Sequence, residues 1–302
     1  MASAEWVAAT RHHFERALDE LLDGIDNKNT ILAKKLHEAM CYAMLNGGKR
    51  ARPLLCYAAG LDFGAPLLVL DRVASAIEAV HVYSLVHDDL PCMDDDILRR
   101  GKPTCHIAYD EPTAMLVGDA LQSIAFEWLS TGNSKITNAE ISLKHISILS
   151  RAIGLQGMAG GQQLDLMATD AAGIDLRDLE NIHRMKTGAL IEASIIMGAI
   201  FSPGGLSASD KAALKDFSRA LGLAFQVIDD ILDATTDTVV LGKTAGKDAD
   251  QNKATYVRFL GIDEARIYAH RLNEEATQAR ERCSIATPHL EYLQNWLIQR
   301  TF

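Results

Sequence analysis

LKDFSRALGLAFQVIDDILD, residues 214 to 233, carries apolar side chains at Leu214, Phe217, Leu221, Ala224 and Ile228. Intervals of three and four mark one face of a helix and not the alternation of a strand. The stretch lies in an interval without proline between Pro203 and Pro288, and another such interval runs from Pro112 to Pro203. Proline inside a helix costs about 3 kcal/mol, so both intervals can hold long helices. Val69, Val73, Ile77 and Val80 repeat the pattern upstream, and alternating strand patterns are scarce. Breaks are expected at Asn46-Gly47-Gly48, Phe63 to Pro66, Gly101-Lys102-Pro103, Thr131 to Asn133, Thr169 to Gly173, Ser202 to Gly205 and Leu241 to Asn252. No repeat or linker divides the chain. The spacing predicts one all-α domain over residues 1–302 with ten or more helices, either a large bundle or a helical array.

With 302 residues, 48% of them apolar, the chain can bury a substantial core. A formal net charge of -10 with no basic stripe argues against a nucleic-acid partner. Cys41, Cys56, Cys92, Cys105 and Cys283 are odd in number and lack C-x-x-C spacing, which speaks against a disulfide framework or a zinc site. Reduced thiols in a cytoplasmic protein are the expectation. The first residues lack the layout of a signal peptide, and no run reaches the roughly 20 apolar residues of a membrane span, so no stable membrane insertion is expected.

The opening stretch ends in an acidic cluster. Asp229 and Asp233 are about 40° apart around a helix and share a face with Gln226. LVHDDLPCMDDDILRRGKPT, residues 85 to 104, carries a second cluster, and His81, Ser84 and Asp88 form an equivalent stripe before it. Asp94 is six residues beyond Asp88, about 240° away in an unbroken helix. Pro91 disfavours helix at Leu90, and a bulge there could swing Asp94 back beside Asp88. Carboxylates held together repel unless cations lie between them. Hard oxygen ligands favour magnesium or manganese over zinc, and magnesium typically adds substrate phosphate oxygens, so two clusters imply a phosphorylated ligand bridging them. Solvated charge runs are the alternative, which the apolar flanks SLVHDD and AFQVIDD disfavour.

Cations complement the clusters. GGKRARP, residues 47 to 53, puts Gly48, Lys49, Arg50 and Arg52 at an expected helix start, where backbone N–H groups and a guanidinium suit a diphosphate. Arg99 and Arg100 form a second pair; Lys186-Thr187-Gly188 interrupts a helical pattern; Lys243, Lys247 and Lys253 follow the second cluster. GKT at 242 to 244 is no P-loop, because Asp237 stands where the motif needs glycine. Glu78-x-x-His81 and Glu180-x-x-His183 have the spacing of a helical di-iron carboxylate protein, a reading that leaves both aspartate clusters and the basic motifs unexplained.

Taken in order, GGKRARP, the His81 helix, DDLPCMDDDILRRGKPT, GDAL at 118 to 121, GGQQLDL at 160 to 166, KTGAL, FQVIDDILD and GKTAGKDADQNKATY resemble the trans-isoprenyl diphosphate synthases, most closely the bacterial farnesyl type. The resemblance implies long helices around a deep central cavity, a homodimer, and condensation of isopentenyl diphosphate onto an allylic diphosphate. It implies three magnesium ions per active site, for which manganese could substitute. Asp88, Asp94 and Asp229 would ligate them, with Asp89, Asp230 and Asp233 assisting. Arg99, Lys186, Thr187, Gln226, Lys243, Lys247 and Lys253 would contact the allylic substrate, and Gly48, Lys49, Arg52, His81 and Arg100 would hold isopentenyl diphosphate. Lys186, Thr187 and Gln226 would stabilise the allylic cation. Tyr83 and Ser84, five and four residues before Asp88, resemble the chain-length floor of enzymes that stop at fifteen carbons, although Tyr83 is about 140° from Asp88 in helical phase. Geranyl or geranylgeranyl synthases of the same family are the near alternatives. A terpene cyclase would not need GGKRARP or RRG, and a non-catalytic partner subunit would not need both aspartate clusters.

Overall fold

The computed structural model describes residues 2–25, 33–131, 139–169, 174–235 and 254–298. In these, α1 (Ala4–Asp23), α2 (Lys34–Met44), α3 (Ala51–Asp62) and α4 (Leu67–Asp88) come first. A short hairpin follows, β1 (Leu98–Arg99) and β2 (Lys102–Pro103), with Leu98 opposite Pro103. Next are α5 (Cys105–Ala108), α6 (Glu111–Ser130), α7 (Ala139–Ile153), α8 (Met158–Ala168) and α9 (Leu176–His183). A π-helical turn (Arg184–Gly188) leads into α10 (Ala189–Ala199), α11 (Ala208–Thr235), α12 (Tyr256–Leu260), α13 (Ile262–Glu281) and α14 (Pro288–Ile298). The all-α reading holds.

Local chemistry starts several of these helices. Ser3 accepts from the Trp6 N–H, Asp110 accepts from Thr113 with Pro112 in the first turn, and Asp175 and Asp178 form a reciprocal capping box. The five apolar positions of the opening stretch are all buried, and α11 lays that face along α13. Phe217 is fully buried. Removing such a side chain from water contributes about 1.5–3 kcal/mol.

Helices α4 and α10 are buried on nearly every side and so lack the polar face of a surface helix. They anchor two core clusters. One gathers Phe14, Leu70, Ile77, Leu121 and Leu129 around α4 and α6; the other gathers Phe217, Leu221, Ile228, Leu272 and Leu290 around α11 and α13. Helices α3 and α10 join them, each giving one face to either cluster. Their crossing is close because Gly198 has no side chain, and a Cβ there would overlap the carbonyl of Cys56.

The break expected at Gly101-Lys102-Pro103 is present, as part of a hairpin, but one local expectation needs correction: Lys186-Thr187-Gly188 does not interrupt its helix. The chain passes from α9 to α10 through the π turn, which absorbs an extra residue without ending the helical path. No helix among the described residues is long and apolar enough to cross a membrane.

Candidate active site

Asp88 ends α4 and Asp89 caps it. The chain then doubles back. The Asp94 N–H donates to the Asp88 carbonyl at 2.8 Å, and the Asp96 N–H to the Asp89 carbonyl at 3.2 Å. Asp95, at the corner, adopts the left-handed conformation (φ 51°), which aspartate tolerates better than most residues, and its N–H donates to the Leu90 carbonyl. The fold-back beyond Pro91 thus returns Asp94 to Asp88. Burial raises the Asp88 carboxyl to about 6; Asp94 and Asp89 add to the rise, while Lys186 and Arg99 oppose it.

The two adjacent arginines diverge. Arg99 turns toward the aspartates, donating from Nε to Asp89 Oδ1 at 3.0 Å and from Nη2 to Asp96 Oδ2 at 3.2 Å. Arg100, left-handed at φ 56°, turns the other way and donates to the carbonyl of Gly47. Gly48, at φ 119°, lies so near this guanidinium that a Cβ would overlap it. The glycine pair therefore does more than begin a helix: it receives the hairpin arginine.

Arg52 donates from Nη1 to His81 Nε2 at 3.2 Å. Because arginine has no acceptor, Nε2 accepts and the imidazole proton sits on Nδ1. Burial, then Arg52 and Arg100, hold the His81 pKa well below its ordinary value, so the ring is neutral near pH 7. Arg52 Nε is buried and has no hydrogen-bond partner among the described residues. Lys49 is exposed beside this group. Arg50, in the same motif, does something else. Its side chain is fully buried, donating to Glu15 at 2.7 Å, to Glu78 at 2.6 Å and to the Met44 carbonyl at 2.8 Å. It therefore ties α1 to α4 and cannot reach a diphosphate.

On the opposite wall, Lys186 Nζ donates to Asp165 Oδ2 at 2.6 Å. Burial lowers the Lys186 pKa, but Asp165, Asp88 and Asp94 outweigh it, and the net shift is upward. Thr187 Oγ1 donates to Gln226 Oε1 at 3.2 Å, and Gln226 Nε2 donates to Asp230 Oδ1 at 3.3 Å. Asp230, buried, also accepts from the Tyr256 N–H at 2.8 Å. Asp233 is buried too, whereas Asp229 is half-buried and lies within electrostatic reach of Arg52.

The expected site residues differ in exposure and in partners. Asp88, Asp94 and Asp229 are the more accessible members of the clusters, whereas buried Asp89 gives Oδ1 to Arg99 and buried Asp230 gives its two oxygens to Gln226 and the Tyr256 backbone. Tyr83 packs edge-on against His87, with ring centroids 5.9 Å apart, and Ser84 Oγ donates to the His81 carbonyl at 2.8 Å. His87 in turn fills the space that Gly118 of GDAL leaves open. Lys243, Lys247 and Lys253 lie outside the described residues. The di-iron reading fails, because Glu78 is committed to Arg50 and Glu180 accepts from Tyr268. Among the described residues no three acidic, imidazole or thiol side chains converge tightly enough to hold an ion unaided.

Asp165 escaped the sequence reading, although GGQQLDL contains it. The signal was Gly161, four residues before, whose missing side chain admits the Lys186 backbone. Glycine and aspartate one turn apart thus mark where α8 meets the π turn.

The polyprenyl synthetase family model matches residues 33–288. Farnesyl diphosphate synthase of Haemophilus influenzae is 46% identical over 94% of this chain and 94% of its own length. A chloroplastic geranylgeranyl pyrophosphate synthase of Catharanthus roseus is also 46% identical, over 81% of this chain and 68% of its own. A geranyltransferase structure from Helicobacter pylori, complexed with magnesium and isoprenyl diphosphate, superposes with a TM-score of 0.82 at 34% identity, covering 99% of this chain and 98% of that one. With a match that covers both aspartate-bearing helices and most of both core clusters, the chain belongs to the polyprenyl synthetase family.

Proposed function

We propose that the protein is a farnesyl diphosphate synthase, which condenses isopentenyl diphosphate with dimethylallyl and then geranyl diphosphate and releases diphosphate. The observation that carries the reading is the division of charge at the end of α4. Arg99 is turned into the aspartate loop, while Arg100, Arg52 and neutral His81 gather around the glycine pair, leaving a buried Arg52 nitrogen without an acceptor among the described residues. One diphosphate needs cations supplied by metal; the other can be held by guanidinium groups directly.

Magnesium fits the acidic half. The donors are hard carboxylate oxygens, which suit an ion that takes one or two carboxylates and completes its shell with water and phosphate oxygens. Asp88, Asp94 and Asp229 would hold three such ions, with manganese as a substitute. The metal would neutralise charge developing on the departing diphosphate. Arg99 and Lys186 add fixed positive charge on the same side, preorganised by Asp89, Asp96 and Asp165. Thr187 and Gln226, hydrogen-bonded to each other, would supply oxygen dipoles to an allylic cation. No side chain stands out as a general base, and the released diphosphate is the acceptor for the final proton. The enzyme would act as a homodimer in the cytoplasm on small diphosphate substrates.

A geranylgeranyl product is the second reading, since a geranylgeranyl pyrophosphate synthase has the same identity to this chain over a shorter alignment. One experiment separates them: magnesium, labelled isopentenyl diphosphate, and a five-, ten- or fifteen-carbon allylic primer. The proposal expects fifteen-carbon product from the two shorter primers and no extension of the third. Twenty-carbon product from all three would replace it.

A further inference from the structure

Hydroxyls inside the helices commonly turn back on their own helix. Ser194, Ser218, Thr235 and Thr277 each donate to the carbonyl four residues earlier, at 2.6, 2.6, 2.7 and 3.0 Å. Thr187 does not. It donates across to Gln226 on α11, 39 residues away, at 3.2 Å.

A glutamine amide is nearly symmetrical in shape but not in chemistry, since one end accepts and the other donates. Asp230 decides which end meets Thr187. A carboxylate offers only oxygens, so Asp230 Oδ1 takes Gln226 Nε2 at 3.3 Å and leaves Gln226 Oε1 on the Thr187 side. Asp230 is itself set from a third element, because its Oδ2 accepts from the Tyr256 N–H at 2.8 Å. The Tyr256 ring is fully buried, with centroids 5.3 Å from His183 and 5.8 Å from Tyr268. His183 closes α9 immediately before the π turn that carries Thr187.

The π turn, α11 and α12 thus form a closed circuit in which the donated protons run toward Asp230. The Thr187 proton is committed to Gln226, and the oxygens of these two half-buried side chains keep lone pairs for whatever lies beside them. Asp230 is 5% exposed, whereas neighbouring Asp229 is half-buried. Two adjacent aspartates therefore have different surroundings.

We propose that Asp230 is a positioning residue that fixes the polarity of this circuit, so that Thr187 and Gln226 offer acceptors and no proton to the reacting allylic carbon. As the allylic C–O bond breaks, its electron pair leaves with the diphosphate and positive charge develops on carbon. Oxygen lone pairs stabilise that charge, and an O–H or N–H aimed at it would oppose it. The effect on rate rests on the function proposed above; the orientation of the Gln226 amide does not.

Asp230→Asn reads the polarity, because it keeps the shape and turns one acceptor into a donor. The Tyr256 N–H holds the asparagine oxygen, the new amide nitrogen faces Gln226, the glutamine turns over, and the Thr187 proton is released toward the site. With geranyl diphosphate, isopentenyl diphosphate and magnesium, the single-turnover rate should fall at least about tenfold while KM for either substrate changes little. The exchange Gln226→Glu/Asp230→Asn returns an acceptor to Thr187 at unchanged total charge and should recover most of that rate. A wild-type rate in Asp230→Asn, or no recovery in the exchange, overturns the positioning role.

Thermal melting in EDTA tests the orientation without turnover. Gln226→Glu alone sets two carboxylates together and should melt lower, and adding Asp230→Asn should restore it. Absence of that restoration overturns the orientation. Manganese bound in the presence of inorganic diphosphate, counted by electron paramagnetic resonance, tests whether Asp230 is instead a ligand. Asp229→Ala should lose bound manganese and Asp230→Asn should keep it; equal loss in both overturns the proposal. Should wild type form no product while the melting recovery persists, the proposed function fails and the orientation by Asp230 stands.

Discussion

Lys186 on the π turn reaches Asp165 on α8 at 2.6 Å, and the same ammonium is drawn by Asp88 and Asp94. A lysine shared between a fixed carboxylate and a loop awaiting substrate is held in place before the diphosphate arrives. Asp165→Asn should therefore lower kcat by up to about a hundredfold, the scale of a misplaced catalytic group, and leave thermal unfolding nearly unchanged. Steady-state kinetics beside a melting curve check this; an unaltered kcat would leave Asp165 with a packing role only.

Arg50 predicts the opposite signature. Glu78 is 1% exposed at its side chain and depends on Arg50 for its countercharge. Arg50→Met would strand that carboxylate, a loss of about 3–5 kcal/mol for breaking a buried pair. Denaturant unfolding should show it, and Glu78→Gln in the same chain should restore part of the loss.

Asp229→Ala should abolish turnover while the protein folds and melts much as wild type, because Asp229 is half-buried and outside the apolar core. Normal turnover by this variant would remove α11 from metal binding.

The raised carboxyl of Asp88 sets a pH dependence. Without metal, the folded protein keeps this proton to about pH 6, whereas the unfolded chain releases it near the ordinary value of 3.8. The folded state thus binds more protons in that window, and this group's contribution to stability falls as pH rises from about 4 to about 6. Under the proposed function a magnesium ion held by Asp88 would displace the same proton, so magnesium affinity should weaken below about pH 6. Unfolding and magnesium titrations of Asp88→Asn check both: the variant should lose this stability component and the pH dependence of whatever affinity remains.

Tyr83 packs on His87, and His87 leans into the gap left by Gly118. Truncating Tyr83→Ala opens that wall and should let products exceed fifteen carbons. Chromatography of extracted products gives the answer, and an unchanged spectrum would place the floor elsewhere.

How far the sequence reached can be judged residue by residue. Helical period fixed the face of α11 before any coordinates, and the same period set Gln226, Asp229 and Asp233 on one stripe. Pro91 signalled that the helix must end near Asp88. These are local properties, set by residues within a turn or two of one another.

Tertiary structure decided what similar residues do. Arg50 and Arg52 are two positions apart, yet one is locked to Glu15 and Glu78 and the other meets His81. Arg99 and Arg100 are adjacent, yet Asp89 takes the first and the Gly47 carbonyl the second. Asp89 and Asp230 stand in acidic motifs but are consumed by partners within the protein. Those partners come from distant parts of the chain, as with Arg50, whose carboxylates lie 35 and 28 residues away. A charge's role depends on which countercharge and how much water surround it, and for these residues only the packing of α1, α3, α4, α11 and the hairpin settles both.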